Sequence, residues 1–279
     1  MMRNKKRLKH LRYFHTPIKR LKEGKMKQRA NITPVFAGFL FISTLLFPMF
    51  LSATLDPMEI VRKGDEVVNA PKDAYIRSKM ELIDSKGFRN VRESEMYQKG
   101  KDKRLVRFLS PADQKGIAFL SLPNDVMYLY LPAFHKIRKI APHVKNQKFA
   151  GTDLTYDDLS AFELAKAHRA ELVEEKENHY VIKLIPNDPT GKEYAYLHVW
   201  YRKDNFYPVK TEYYDENGNL IKILERRKLK LIDGYWISME LYVKDLKTNH
   251  ITHSYIEEVK LDIGLQDSIF TRRTLVQVR

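Results

Sequence analysis

Downstream of residue 53, the side chains able to do acid–base or metal chemistry are seven histidines, His135, His143, His168, His179, His198, His250 and His253, and the acids Asp153, Asp157 and Asp158. No two of the histidines stand in the HExxH spacing that sets two imidazoles on one helix face for zinc. His250 and His253 lie three apart in a segment with strand character and so point to opposite faces. The three aspartates lack the acid and glycine spacing of a calcium loop. There is no G-x-S-x-G elbow, phosphate-binding loop or dinucleotide fingerprint. Cysteine is absent, which excludes disulfides, thiolate metal sites, a cysteine nucleophile and an acylated N-terminal cysteine. No catalytic residue, metal or cofactor is therefore expected, and an acyl hydrolase would have to be assembled from scattered residues. What the acids can do is electrostatic. Asp153, Asp157 and Asp158 can cap backbone N–H groups or pair with Lys136, Arg138 or Lys139, as a fixed anchor or an opening latch between helix and sheet.

The elements that must position these residues are mostly strands. Asp56-Pro57-Met58-Glu59 has the residue types of a helix start, with Met58, Ile60, Val61, Val67 and Val68 as its apolar positions and Pro71 as its limit. Beyond it come short runs rich in Tyr, Val, Ile and Phe, which predict strands near 75–84, 90–98, 103–109, 116–121, 125–131, 135–140, 170–175, 179–185, 194–203, 207–214, 220–230, 235–244 and 250–262. Turn residues such as Asp84-Ser85-Lys86-Gly87 and Asp215-Glu216-Asn217-Gly218 separate them. Connections this short favour an antiparallel meander over parallel crossovers. A second short helix is expected near 155–165, started by Thr155 with Asp158 three residues on. Two short helices are little cover for so many strands. The pattern therefore suggests a mostly β, curved, open sheet with an incompletely filled concave side, against the alternative of a packed barrel or sandwich.

Three ordered motifs stand out: Pro111-x(4)-Gly116-x-x-Phe119-Leu120; Tyr128-Leu129-Tyr130-Leu131-Pro132-x(3)-Lys136-x-Arg138-x-Ile140; and Phe149-x-Gly151-x-Asp153-x-x-Tyr156-Asp157-Asp158-Leu159. In these the chain resembles the outer-membrane lipoprotein-sorting family, the LolA-like periplasmic carriers, over about residues 56–279. The resemblance implies an open antiparallel half-barrel with helices plugging its concave side. It implies a periplasmic carrier that holds acyl chains of lipoproteins or phospholipid in an apolar cavity while they cross water, each buried methylene contributing about 0.8 kcal/mol. Ile117, Phe119, Met127, Leu129, Leu131, Ile237, Met239 and Leu241 are the expected chain contacts, although core packing predicts the same residues. Asp153, Tyr156, Asp157 and Asp158, with Lys136 and Arg138, are the expected helix–sheet motif. An inner-membrane transporter is a candidate partner, and a monomer is expected. The alternatives on the same fold are a lipid- or lipoprotein-sensing regulator of the envelope and a lipid-acting hydrolase.

The formal net charge of +15 over 279 residues invites a nucleic-acid reading. Residues 1–30, however, hold twelve Lys and Arg against Glu23, residues 31–53 hold no charge, and the remainder carries only +4. Basic, then apolar, then Ser52-Ala53 is the order of an export signal. Cleavage is expected after Ala53, with Leu51 a poor recognition residue. Met26-Lys27-Gln28-Arg29 would serve as a compact start. The competing reading is an uncleaved anchor over 32–51, since roughly 20 apolar residues span a bilayer. The expected division is thus a leader at 1–53 and one β domain at 54–279, facing away from the cytoplasm. Nucleic acid is not an expected partner. Glu225-Arg226-Arg227-Lys228-Leu229-Lys230 reads as a solvated strand edge.

Overall fold

The computed structural model describes residues 55–160 and 163–277. The expected leader, with its start and cleavage position, lies outside them.

The chain opens with helix α1 (Pro57–Val68) and continues through strands β1 (Asp73–Ile83), β2 (Arg89–Lys99), β3 (Lys103–Ser110), β4 (Ala118–Leu122), β5 (Val126–Leu131) and β6 (Lys136–Lys139). After the one-turn helix α2 (Leu164–Ala167) come β7 (His168–Glu175), β8 (His179–Pro186), β9 (Tyr196–Arg202), β10 (Pro208–Tyr214), β11 (Leu220–Ile232), β12 (Tyr235–Asp245) and β13 (His250–Leu261). A final turn, α3, covers Arg272–Leu275. All thirteen strands join one sheet in the order β6-β5-β4-β3-β2-β1-β13-β12-β11-β10-β9-β8-β7. Every pairing is antiparallel. The sheet is open, with β6 and β7 as its edges, and the β1–β13 pairing joins two wings, β1–β6 and β7–β13. Short turns built by residues that tolerate positive φ, among them Asn124, Asp125, Gly218 and Gly234, produce this meander.

Helix α1 starts as its residue types predict. Asp56 accepts from the Met58 N–H at 3.2 Å and Pro57 occupies the first turn, while Glu59 turns outward to Arg62 at 2.9 Å. Its Ile60 and Val61 are fully buried against Ile182, Leu184, Leu197, Val199, Tyr201 and Val243 of the second wing. Gly64 is what lets the helix come this close: a Cβ there would lie 2.4 Å from the Tyr201 ring.

The second expected helix, near 155–165, does not form over residues 155–160. Residues 147–156 instead make a tight hairpin, with Tyr156 N–H on the Gln147 carbonyl at 3.2 Å and Phe149 N–H on the Leu154 carbonyl at 2.8 Å. Thr155 and Asp158 do exchange the reciprocal bonds of a capping box, at 2.9 and 3.0 Å. They close a single turn to Leu159 rather than open a helix; the helical turn comes later, at α2. Local capping chemistry is the same in both cases, so the sequence signal did not distinguish them.

Candidate functional site

The segment 148–160 acts as a strap tied to both wings of the sheet. On the first wing, Phe149 stacks on Phe108 at 5.2 Å and Tyr156 on Phe119 at 5.9 Å. Arg92 and Arg104, from β2 and β3, donate to the backbone carbonyls of Ala150 and Ser160. On the second wing, Leu154 joins the α1 core. Asp153, whose side chain is fully buried, accepts from Thr252 at 2.8 Å and lies 2.6 Å from His250 Nδ1. Lys148 bridges it to Asp245, at 2.9 and 2.6 Å. Asp158 pairs with Lys222 at 2.7 Å and accepts from the Tyr213 hydroxyl at 3.0 Å. Asp157 pairs with Lys192 of the β8–β9 loop. The strap's acids are therefore anchors, but not to the expected cations. Lys136 and Arg138 sit exposed on the edge strand β6; the hairpin turns the carboxylates toward the other wing, and the pairs with Lys136, Arg138 and Lys139 do not form among the described residues.

Burial pushes the Asp158 carboxyl up, but Lys222 and the Thr155 donors outweigh it and hold the group below its ordinary range. Asp65 of α1 shows the opposite balance. It accepts from the Leu164 and Ala165 N–H groups at 3.1 and 2.8 Å, fixing α2, yet burial raises its pKa to about 6. His168 donates from Nδ1 to the Leu164 carbonyl at 3.0 Å, so its Nε2 accepts from the Tyr194 hydroxyl at 3.1 Å. Burial lowers the pKa of this histidine, in keeping with a neutral ring.

Beside the strap, between the wings, lies a cavity of about 600 Å³, within the 300–1,000 Å³ range of ligand pockets. Its walls combine Leu164, Leu197, Ile221 and Leu224 with Tyr194, Tyr213, Lys192, Lys222, Arg226, Asp157 and Asp158. This lining is mixed, not the purely apolar one that an acyl-chain carrier leads one to expect. None of the eight residues anticipated as chain contacts lines it. Phe119 and Met127 are fully buried beneath Phe149 and Tyr156. Ile117 and Leu129 pack at the edge of that cluster, and Leu131 is half-buried at the end of β5. Ile237, Met239 and Leu241 form a half-buried apolar row along one face of β12, the face shared by the core residue Val243. The row starts beside the cavity, because Leu241 is the cross-strand partner of Arg226. Arg226, Tyr194 and His168 were not anticipated as site residues. Arg226 sits in a basic run whose alternation with solvent-facing neighbours hides its inward side chain. Among the described residues, no group of three or more His, Asp or Glu converges as metal ligands.

A domain from Vibrio parahaemolyticus described as an outer membrane lipoprotein-sorting protein superposes with a TM-score of 0.69 at 26% identity, over 78% of this chain and 100% of that one. A DUF1329 family protein from Desulfovibrio piger gives 0.73 at 25% identity, over 79% and 99%. A family model with the description "-like: Uncharacterized protein" matches residues 100–277. The chain belongs to the outer-membrane lipoprotein-sorting, LolA-like family. A LolA superfamily protein from Nitrosomonas europaea shares the fold, with a TM-score of 0.67 at 19% identity over 79% and 100%. No curated protein matches the sequence. The LolA-like fold is a carrier or binding fold, and its open sheet with a few short helices is the one seen here. Among the described residues no helix is long and apolar enough to cross a membrane.

Proposed function

We propose that this LolA-like protein carries the acyl chains of lipoproteins or of free lipid across an aqueous envelope compartment. The observation that carries the reading is the gap between the wings: a cavity of about 600 Å³ lined in part by Arg226, whose cross-strand partner Leu241 begins the half-buried row Leu241-Met239-Ile237. A packed sandwich would have closed it. Ile237, Met239 and Leu241 are the chain contacts; Ile117, Phe119, Met127, Leu129 and Leu131 reach cargo only if the strap lifts off the first wing. Methionine suits such a row because its unbranched side chain adapts to irregular partners. The strap, with Asp153, Tyr156, Asp157 and Asp158, sets the separation of the wings. The similarity to the Vibrio sorting domain supports lipoprotein cargo. In this reading residues 1–53 export residues 54–279 to the periplasm, where an inner-membrane transporter is the donor and the carrier works as a monomer.

Incubation with radiolabelled phospholipid and a fatty-acyl ester tests it. Stoichiometric retention of label without turnover is expected. Steady release of free fatty acid would replace the carrier with a hydrolase.

A further inference from the structure

The antiparallel register brings three turns to one end of the first wing: residues 84–88 between β1 and β2, 111–117 between β3 and β4, and 132–135 between β5 and β6. Two of them carry an exposed ring. Phe88 is 73% and Phe134 62% exposed, the most of any large hydrophobic side chain among the described residues. Each ring stands on an ordered turn. Asp84 accepts from the Lys86 and Phe88 N–H groups at 2.8 and 3.0 Å. Pro132–Phe134 form a single 3-10 turn, closed by the His135 N–H on the Pro132 carbonyl at 3.0 Å. The same end is basic. Lys86 and Lys115 lie on the turns, and Lys136, Arg138 and Lys139 on the edge strand β6 that leaves the third; all five are exposed, and among the described residues none of them forms an ion pair. The neighbouring Arg89 is paired, with Glu81 at 2.9 Å. Of the acids in the three turns, Asp84 is occupied by its own turn, and Asp113 accepts from Gln114 at 2.9 Å.

Single exposed hydrophobic side chains are ordinary on a protein surface. Two rings at one end, set among unpaired cations, match a partner that is layered in the same way: phosphates over hydrocarbon. We propose that this end of the first wing docks on an anionic bilayer, with Phe88 and Phe134 inserted between the headgroups and the unpaired cations on the lipid phosphates. Amphipathic surfaces that combine Phe with Lys and Arg lie in the interface in this manner, and each cation near an anionic membrane contributes about fivefold in affinity. An acidic polypeptide would answer the cations and leave both rings in water. The docking surface does not depend on what the cavity holds.

The chain has no cysteine, so Phe88→Cys, Phe134→Cys and Glu177→Cys each create one labelling position in the full chain. Position 177 lies on the β7–β8 turn, at the opposite end of the sheet, and serves as the control. Each chain is labelled with a polarity-sensitive nitrobenzoxadiazole dye and mixed with phosphatidylglycerol or phosphatidylcholine vesicles. Phosphatidylglycerol should shift the emission to the blue at positions 88 and 134 and leave 177 unchanged, while phosphatidylcholine should shift none. In the Phe88→Cys chain, Lys136→Gln, Arg138→Gln and Lys139→Gln together should raise the lipid concentration at half-shift at least about tenfold, with an unchanged denaturation midpoint. An unshifted dye at either ring position, an equal shift at 177 or with phosphatidylcholine, or an unaltered lipid requirement in the triple variant would overturn the proposal. A shift produced by polyglutamate and not by phosphatidylglycerol would overturn it in favour of an acidic protein partner. None of these outcomes touches the carrier reading, which retention of acyl label decides.

Discussion

The two wings of one sheet are covered in different ways. In the first wing, β3 to β5 are sandwiched: Val106, Phe108, Phe119 and Met127 pack beneath the strap, and on the opposite face Leu105, Ala118, Leu120 and Tyr130 pack beneath Leu265, Phe270 and Leu275 of the C-terminal segment. Among the described residues, the second wing is covered on one face, by α1 and Leu154. Its other face is a wet aromatic and charged ladder, in which Tyr196 stacks on Tyr214 at 4.8 Å and Lys210 lies over Trp200 at 4.7 Å. A wing buried on both faces is a base, while the singly covered wing contributes more of the cavity wall than the first wing does, and the half-buried apolar row.

The comparison predicts where the molecule breaks. Phe149→Ala removes the ring that joins Phe108, Phe119 and Tyr156 and should cost about 3–5 kcal/mol in chemical denaturation. Asp158→Ala strands Lys222 in a nearly dry site and should cost about 3 kcal/mol. Because the folded Asp158 carboxyl is held below its ordinary 3.8, its contribution is present above that pH and fades as pH falls through the folded value; Asp158→Asn should flatten the acid limb of the stability curve. Asp65 has the opposite sign. Its pKa is raised from 3.8 to about 6, so the stabilisation of its protonated form is complete below pH 3.8 and is lost as pH rises through 6. Between pH 4 and 7, wild type should lose about 2 kcal/mol relative to Asp65→Asn. Tyr196→Ala, on the wet face, should cost only about 1 kcal/mol. A cost as large as that of Phe149→Ala would mean that the second wing is covered on both faces as well.

The strands were legible because each carries its own period of two and its own turn residues. All thirteen expected runs are strands, within a few residues at each end. The double cover of the first wing was also written locally, in the uninterrupted apolar run Ala118-Phe119-Leu120, but which segments provide it was not. Phe149 and Phe270 meet the sheet only through long-range closure that no local pattern encodes. The partners of Asp153, Asp157 and Asp158 were missed for the same reason, since nearby Lys136 and Arg138 were the simplest choice in sequence and the fold instead supplies Lys148, Lys222 and Lys192 from elsewhere. Arg226 was hidden by its own neighbours, which made an inward guanidinium look like part of a solvated edge. Gly64 carries no local signal of the Tyr201 ring it must admit.

Native mass spectrometry of the protein purified from its native source bears most directly on whether the gap between the wings holds acyl cargo. A one-to-one complex with an acylated species is predicted, displaced when Met239 and Leu241 are both replaced by aspartate. Protein that emerges uniformly free of any acylated species, with an unaltered mass spectrum in that double variant, would contradict the account.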